Sequence, residues 1–376
     1  MEELSNRTKR CRAVAVLATS SSATLGKELE EYIAISPTLA VCSINIGLHV
    51  GKLPLLPHEV IISSDLQPDS NGPALVVFTS GTTGRPKGVV KRRAAVYNAA
   101  LAVADNYQLV ENDTVLHITP VNHASGIGLA LLPFLLSGGC VEFRVEHVEA
   151  FDAGQLWDRW REGRLTFFSG VPNIYKNMMQ YFEEHISKLP AEELKAYVTG
   201  LNQFKGMLCG TSALPQLLQQ KWTKLRGGRM LLTRYGGTES SAVFKVPLHA
   251  ADVPEVNCSK IGNSRNQLTQ IQGHRWWDCA WGRREIVWRW RGRVACQKSK
   301  HVLKVRLWNP YSHRSLAYLC HYARYLFDPE ATANAHDSEG YFKTGDVARR
   351  RGRYYFILGR EDVDGTLFTF FKEVFH

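Results

Sequence analysis

No apolar run in this chain is long enough to span a bilayer. The longest, Ile127 to Ser137, is interrupted by Pro133 and reads as a buried helix. Paired cysteine motifs are missing as well: the eight cysteines, Cys11, Cys42, Cys140, Cys209, Cys258, Cys279, Cys296 and Cys320, form no C-x-x-C pair and have no histidine at zinc-ligand spacing. That argues against structural zinc and fits a reduced intracellular compartment, cytoplasmic or mitochondrial. A targeting segment is disfavoured too, because Glu2 and Glu3 precede the basic Arg7, Lys9, Arg10 and Arg12 and the apolar run behind them. Acidic residues are scarce in one stretch. Residues 261–325 hold thirteen Lys/Arg against Asp278 and Glu285, which accounts for the whole net charge of +11.

What the chain does have is ample apolar material, 44% of 376 residues, enough for two or three domains. Between residues 73 and 240, runs of strand length alternate with helical patterns. Leu75–Phe78, Val115–Thr119, Val141–Phe143, Leu165–Phe168, Met207–Cys209 and Met230–Thr233 read as strands. Ala94–Tyr107, Ala153–Trp160, Pro172–Phe182 and Pro215–Leu225 read as helices. Such alternation predicts an α/β fold, a mostly parallel sheet covered by helices, with ligands bound beyond the carboxyl ends of its strands.

One segment carries specific chemistry. In Thr79-Ser-Gly-Thr-Thr-Gly-Arg-Pro-Lys-Gly88, Gly81, Gly84 and Gly88 let the backbone approach an anion, and the hydroxyls of Thr79, Ser80, Thr82 and Thr83 donate to it. Lys87 adds a point charge. A loop of this make-up grips phosphate, and ATP is its natural guest. It is not a Walker A loop, because Pro86 precedes the lysine and Gly88 stands where Ser or Thr would hold Mg²⁺.

Two distant segments join it, Arg234-Tyr-Gly-Gly-Thr-Glu239 and Gly340-Tyr-Phe-Lys-Thr-Gly-Asp346, the latter followed by Gly359-Arg360. In this order, with His123 and Gly210-Thr-Ser-Ala213 between them, the three motifs resemble the AMP-forming adenylate superfamily of acyl-CoA synthetases, luciferases and peptide-synthetase adenylation domains. The resemblance implies a ligase that activates a carboxylate with ATP and Mg²⁺ and passes the acyl group to the thiol of coenzyme A. It implies that Thr79, Ser80, Gly81, Thr82, Thr83, Gly84 and Lys87 hold the triphosphate. Thr238 would meet the α-phosphate and Glu239 would coordinate Mg²⁺. Tyr235 and Gly236 would lie beside adenine, with Gly210, Thr211, Ser212 and Ala213 along the same ring. Asp346 and Arg360 would clamp the ribose, and His123 would gate the acyl pocket.

Arg234 narrows the resemblance. Where relatives that use fatty or aryl acids place neutral residues, R-Y-G-x-T-E is similar to the malonyl-CoA synthetase branch, whose acid carries a second carboxylate for a guanidinium to bind. A short carboxylic or dicarboxylic acid, malonate favoured, is the expected substrate.

The same resemblance divides the chain into residues 1–72, a shortened start of the large domain; 73–258, its core; 259–325, which lacks the family pattern; 326–364, the end of that domain; and 365–376, a tail where a small C-terminal lid is expected. The lysine that such lids contribute has no counterpart, so weak ATP binding with poor adenylation is expected. Residues 259–325 carry six of the nine tryptophans and read either as a basic aromatic module or as intervening sequence carried in from a faulty gene model, the second being favoured. The alternatives are thus a non-catalytic nucleotide binder, and a nucleic-acid or membrane binder acting through that stretch. With the charge confined there, no nucleic-acid partner is expected.

Overall fold

The computed structural model describes residues 2–11, 13, 15–19, 23–34, 42–46, 69–79, 86–143, 151–249, 260–261, 294–295, 302–306, 322–336, 341–351, 354–361 and 367–368. The chain divides into two compact units, residues 1–69 with 326–329, and residues 70–325 with 330–376. In the first, helix α1 (Glu2–Cys11) precedes strand β1 (Ala15–Thr19), helix α2 (Ala23–Ala34) and strand β2 (Cys42–Ile46). β1 and β2 pair in parallel, so α2 is the crossover of a βαβ unit. Leu29 and Ile33, one turn apart on α2, are its buried stripe and pack on Val16.

The second unit opens on β3 (Pro73–Phe78) and β4 (Gly88–Arg92), which pair antiparallel. Here the sequence expectation is corrected. The segment expected to grip phosphate lies between two antiparallel strands, and β3 is a half-exposed strand in which only Val77 is buried, because its sheet is small and lies apart from the parallel one. Helix α3 (Arg93–Tyr107) follows. Then come β5 (Thr114–His117), a π-helical turn at Gly126–Leu131 running into α4 (Leu132–Leu136), β6 (Cys140–Phe143), α5 (Ala153–Arg161) and β7 (Phe167–Gly170). The stretch expected as one buried helix is therefore two short pieces, with Leu135 and Leu136 exposed. The chain continues through α6 (Pro172–Glu184), α7 (Ala191–Asn202), β8 (Gly206–Cys209), α8 (Gln216–Leu225), β9 (Leu232–Gly237) and β10 (Ser241–Lys245).

These strands form one sheet in the order β10-β9-β8-β7-β5-β6. All neighbours are parallel except β10, which returns antiparallel along β9. Alternation along each strand sorts its residues between two cores. Leu116, Phe168, Met207 and Cys209 face α5 to α8 and meet Trp157, Trp160 and Trp222, whose indole rings are fully buried; Trp157 and Trp222 stack at 5.9 Å. Both of those indoles donate to main-chain carbonyls of α6, Trp157 to Met178 (2.9 Å) and Trp222 to Tyr175 (3.1 Å). Val115, Phe167, Leu208 and Leu232 face the other way, toward Val103 and Tyr107 of α3 and Phe134 of α4.

A third sheet is antiparallel: β11 (Lys260–Ile261), β12 (Val294–Ala295), β13 (Val302–Arg306), β15 (Tyr341–Arg351), β16 (Tyr354–Glu361) and β17 (Leu367–Phe368). Strand β14 (Tyr322–Tyr325) instead joins the free side of β4. Strands β11 to β14 all fall within residues 259–325; the remainder of that stretch lies outside the described residues. Among the described residues no helix is long and apolar enough to cross a membrane.

Candidate active site

The carboxyl ends of β5, β7, β8 and β9 lie on one edge of the parallel sheet, and His123, Gly210–Ala213 and Arg234–Glu239 stand at or beyond those ends. Period-two alternation continues the α3 side of the sheet from Phe167 to Ser169, from Leu208 to Gly210 and from Leu232 to Arg234. An apolar face thus turns polar at its last register position. Arg234 is 9% exposed, and its Nη2 donates to Ser169 Oγ at 2.6 Å. Its Nε and Nη1 have no hydrogen-bond partner among the described residues. The fully buried Tyr107 lies near the same guanidinium; burial pushes its pKa up to about 12, and the charge of Arg234 pulls the other way.

Gly210 belongs to this cluster. A Cβ there would stand 3.0 Å from Arg234 Cγ and 3.2 Å from its Nε, so the glycine makes room for the arginine stem. Its neighbour Thr211 takes φ of +74°, a left-handed conformation that side chains resist and that binding loops retain. Thr211 and Ser212 are exposed and Ala213 half-buried.

β9 and β10 are joined by a tight turn. Gly236 is obligatory there, since a Cβ would fall 1.9 Å from the Ser241 carbonyl oxygen. Gly237 N–H donates to Ser240 Oγ (3.0 Å), closing a loop that presents Thr238 and Glu239 half-buried. The buried Lys91 of β4 donates from Nζ to Ser241 Oγ (2.8 Å), tying this turn to the hairpin sheet.

In the Thr79–Gly88 segment, Thr79 N–H donates to the Lys87 carbonyl and Lys87 N–H to Thr79 Oγ1, both at 3.0 Å, which joins its two ends. Ser80, Gly81, Thr82, Thr83 and Gly84 lie outside the described residues. Lys87 Nζ sits 5.0 Å from the ring centroid of Tyr325, and the Tyr325 hydroxyl donates to Glu239 Oε1 at 2.7 Å. The lysine and the carboxylate therefore meet on one phenol. A second tyrosine does likewise: Tyr235 OH donates to Asp346 Oδ2 at 2.5 Å. Asp346 follows Gly345, at φ +72°, and stands opposite Arg360 in the β15–β16 ladder.

His123 is exposed on the loop after β5. Its Nδ1 lies 2.7 Å from Ser125 Oγ and takes the Ser125 N–H at 3.2 Å. A backbone N–H can only donate, so in the neutral ring Nδ1 is the acceptor and the proton is on Nε2. Sequence reasoning missed Ser169, Tyr107, Lys91 and Tyr325. The alternation that carries Phe167 to Ser169 was a signal for the first; the others depend on packing.

Among the described residues no group of three or more His, Cys, Asp or Glu is placed to hold a metal. Mg²⁺ ordinarily takes only one or two protein carboxylates and completes its shell with phosphate and water, and the half-buried carboxylate of Glu239 is of the type it binds.

Residues 1–266 match the family of AMP-binding enzymes. A malonate–CoA ligase of Arabidopsis thaliana is 29% identical over 333 residues, 81% of this chain and 46% of the relative. Acyl-CoA ligase oryP of Aspergillus oryzae is 30% identical over 369 residues, 97% of this chain and 58% of the relative. Among solved structures, ATP-bound MatB from Rhodopseudomonas palustris superposes with a TM-score of 0.66 at 19% identity, covering 96% of this chain and 61% of MatB; this likeness shows the fold. The chain spans about half the length of the curated relatives it matches. With its motifs on the strand ends and most of its length matched, the chain belongs to the AMP-binding enzyme family.

Proposed function

We propose that this chain carries the nucleotide- and acid-binding face of an AMP-forming acid–thiol ligase whose acid is a short dicarboxylate, malonate above all. The observation that carries the reading is Arg234: a guanidinium removed from water with two donor nitrogens unused by the described residues. A buried cation with spare donors is costly unless an anion completes it. A carboxylate fits the fork bidentately, and a diacid has one carboxylate to leave there while the other faces the nucleotide.

In this reading ATP supplies the electrophilic phosphorus, Mg²⁺ neutralises phosphate charge and coenzyme A supplies the accepting thiol. Lys87 and Thr79 hold phosphate oxygens. Glu239 holds the metal ion, and Thr238 donates beside it. Tyr235, Gly236 and the Gly210–Ala213 backbone border the base, Asp346 and Arg360 the ribose. Arg234, with Ser169 behind it, anchors the far carboxylate and so orients the near one. His123 stands at the mouth with its proton on Nε2.

The test is calorimetric titration of the chain with malonate and with acetate in the presence of Mg²⁺ and a non-hydrolysable ATP analogue. Malonate is expected to bind and acetate to bind far more weakly. Equal binding of the two acids overturns the dicarboxylate reading. Binding of the analogue with no pyrophosphate released from ATP and malonate leaves a nucleotide binder without catalysis.

A further inference from the structure

We propose that Tyr325 is a positioning residue that couples the phosphate-loop lysine to the metal-holding carboxylate. The proposal rests on the nucleotide-binding reading above and concerns a residue that none of the sequence motifs contains. Tyr325 is 5% exposed and is held from three sides. Its main chain pairs with Val89 in the β14–β4 ladder. Its N–H donates to Thr332 Oγ1 at 3.0 Å. Its hydroxyl reaches Glu239 Oε1 at 2.7 Å, a short charge-assisted bond.

The Val89 pairing matters because Val89 follows closely on Lys87. One ladder therefore places both the lysine's backbone and the tyrosine ring. At 5.0 Å from the centroid, the Lys87 ammonium lies within reach of the ring quadrupole, an attraction that holds a cation without neutralising it. An ion pair with Glu239 would instead cancel the two charges the site needs. With the phenol between them, Lys87 keeps its charge for phosphate, and Glu239 is fixed in one orientation while it retains lone pairs for a cation. This is the part that outer-shell partners play at metal sites, where they orient the ligand.

The two contacts use different parts of the side chain and can be separated. Phenylalanine keeps the ring face and loses the proton; leucine loses both. The experiment measures Mn²⁺ binding, by electron paramagnetic resonance, to the chain saturated with a non-hydrolysable ATP analogue, and separately the analogue's affinity without metal. Tyr325→Phe is expected to weaken Mn²⁺ by about tenfold and to leave metal-free nucleotide binding unchanged. Tyr325→Leu is expected to weaken both. Glu239→Gln should weaken Mn²⁺ as well, and the Tyr325→Phe/Glu239→Gln double variant should lose no more than Glu239→Gln alone.

Wild-type Mn²⁺ affinity in Tyr325→Phe overturns the proposal. So does equal weakening with and without metal, which marks general loosening; a thermal melt of each variant reports folding. Failure of the unaltered chain to bind the analogue removes the nucleotide reading and this proposal together, and it is seen before any variant is made.

Discussion

Arg226 and Arg234 stand close together in sequence and are both removed from solvent, at 2% and 9% exposure. Arg226 directs its donors at main-chain carbonyls: Met230 at 2.9 Å, with Arg229 and Phe204 at 3.4 Å. Arg229 joins it, donating to Phe204 and to the carbonyl and side chain of Asn202 at the end of α7. Burial, then the neighbouring charge of Arg229, lowers the Arg226 pKa to about 10. Arg234 has one side-chain partner, Ser169, and two nitrogens unsatisfied where Arg226 has one. The first arginine splices a helix end to the sheet. The second sits at a strand's carboxyl end with two nitrogens that no described residue takes up, and that difference in partners, at similar burial, is what the proposed role of Arg234 rests on.

Replacing each arginine tests the comparison. Arg234→Met should lower malonate affinity by the equivalent of about 2–5 kcal/mol, the range for truncating one side of a buried charged hydrogen bond, with the melting temperature kept or raised. Titration calorimetry and a thermal melt read both quantities, and a parallel loss of acetate binding would deny Arg234 its role. Arg226→Met should do the reverse, with about 2–4 kcal/mol of stability lost as buried carbonyls lose their donors, and malonate affinity unaltered. An unchanged urea midpoint would break that half of the comparison.

Alkaline pH sharpens it through Tyr107, the phenol beside Arg234. Its folded pKa, about 12, lies above the ordinary 10, so its contribution to stability is complete below pH 10 and is lost as pH rises through about 12. Tyr197, raised to about 12 by burial and by its hydrogen bond to Asp158, acts in the same sense. Arg226, with its depressed pKa, acts oppositely, because its neutralisation relieves a buried charge. Tyr107's own share of the unfolding free energy, read from urea titrations of the unaltered chain against Tyr107→Phe, should fall by about 2–3 kcal/mol across this window. Tyrosinate absorbance should appear later still in Arg234→Met, since the guanidinium's downward pull on Tyr107 is gone; an earlier appearance would deny the contact. The smallest effect expected is from Gly210→Ala, whose methyl would press on the Arg234 stem at 3.0 Å and cost malonate binding about 1 kcal/mol with little change in stability.

How much of this was legible beforehand differs by element. The parallel strands and their helices were, because strands buried on both faces, as β5, β7, β8 and the first half of β9 are, leave short apolar runs bounded by helical patterns. The β3–β4 hairpin was not, since an apolar run before a glycine-rich loop reads alike whether a helix or a returning strand follows. α7 was overlooked although Pro190, with Glu192 and Glu193 in the first turn, signals a helix start. At the site, Arg234, Tyr235 and Glu239 stood out by local chemistry, whereas Tyr325 lies in a stretch of unfamiliar composition and acquires its meaning from a strand pairing.

By itself the sequence determined the chemistry available: a loop rich in hydroxyls and glycines with one lysine, an acid and an arginine flanking Tyr235 to Thr238, and strands whose alternation commits each residue to a face. Hydroxyls, glycines and a lysine within ten residues are the groups that act on an anion through short-range contacts, so adjacency along the chain suffices to mark the segment as a candidate. The tertiary structure alone decided that Tyr325 meets Glu239 across 86 residues, that Tyr235 meets Asp346 across 111, and that Ser169 takes a single arm of Arg234. Hydrogen bonds fall away within a few tenths of an ångström, and only the register of paired strands sets positions that finely between segments so far apart.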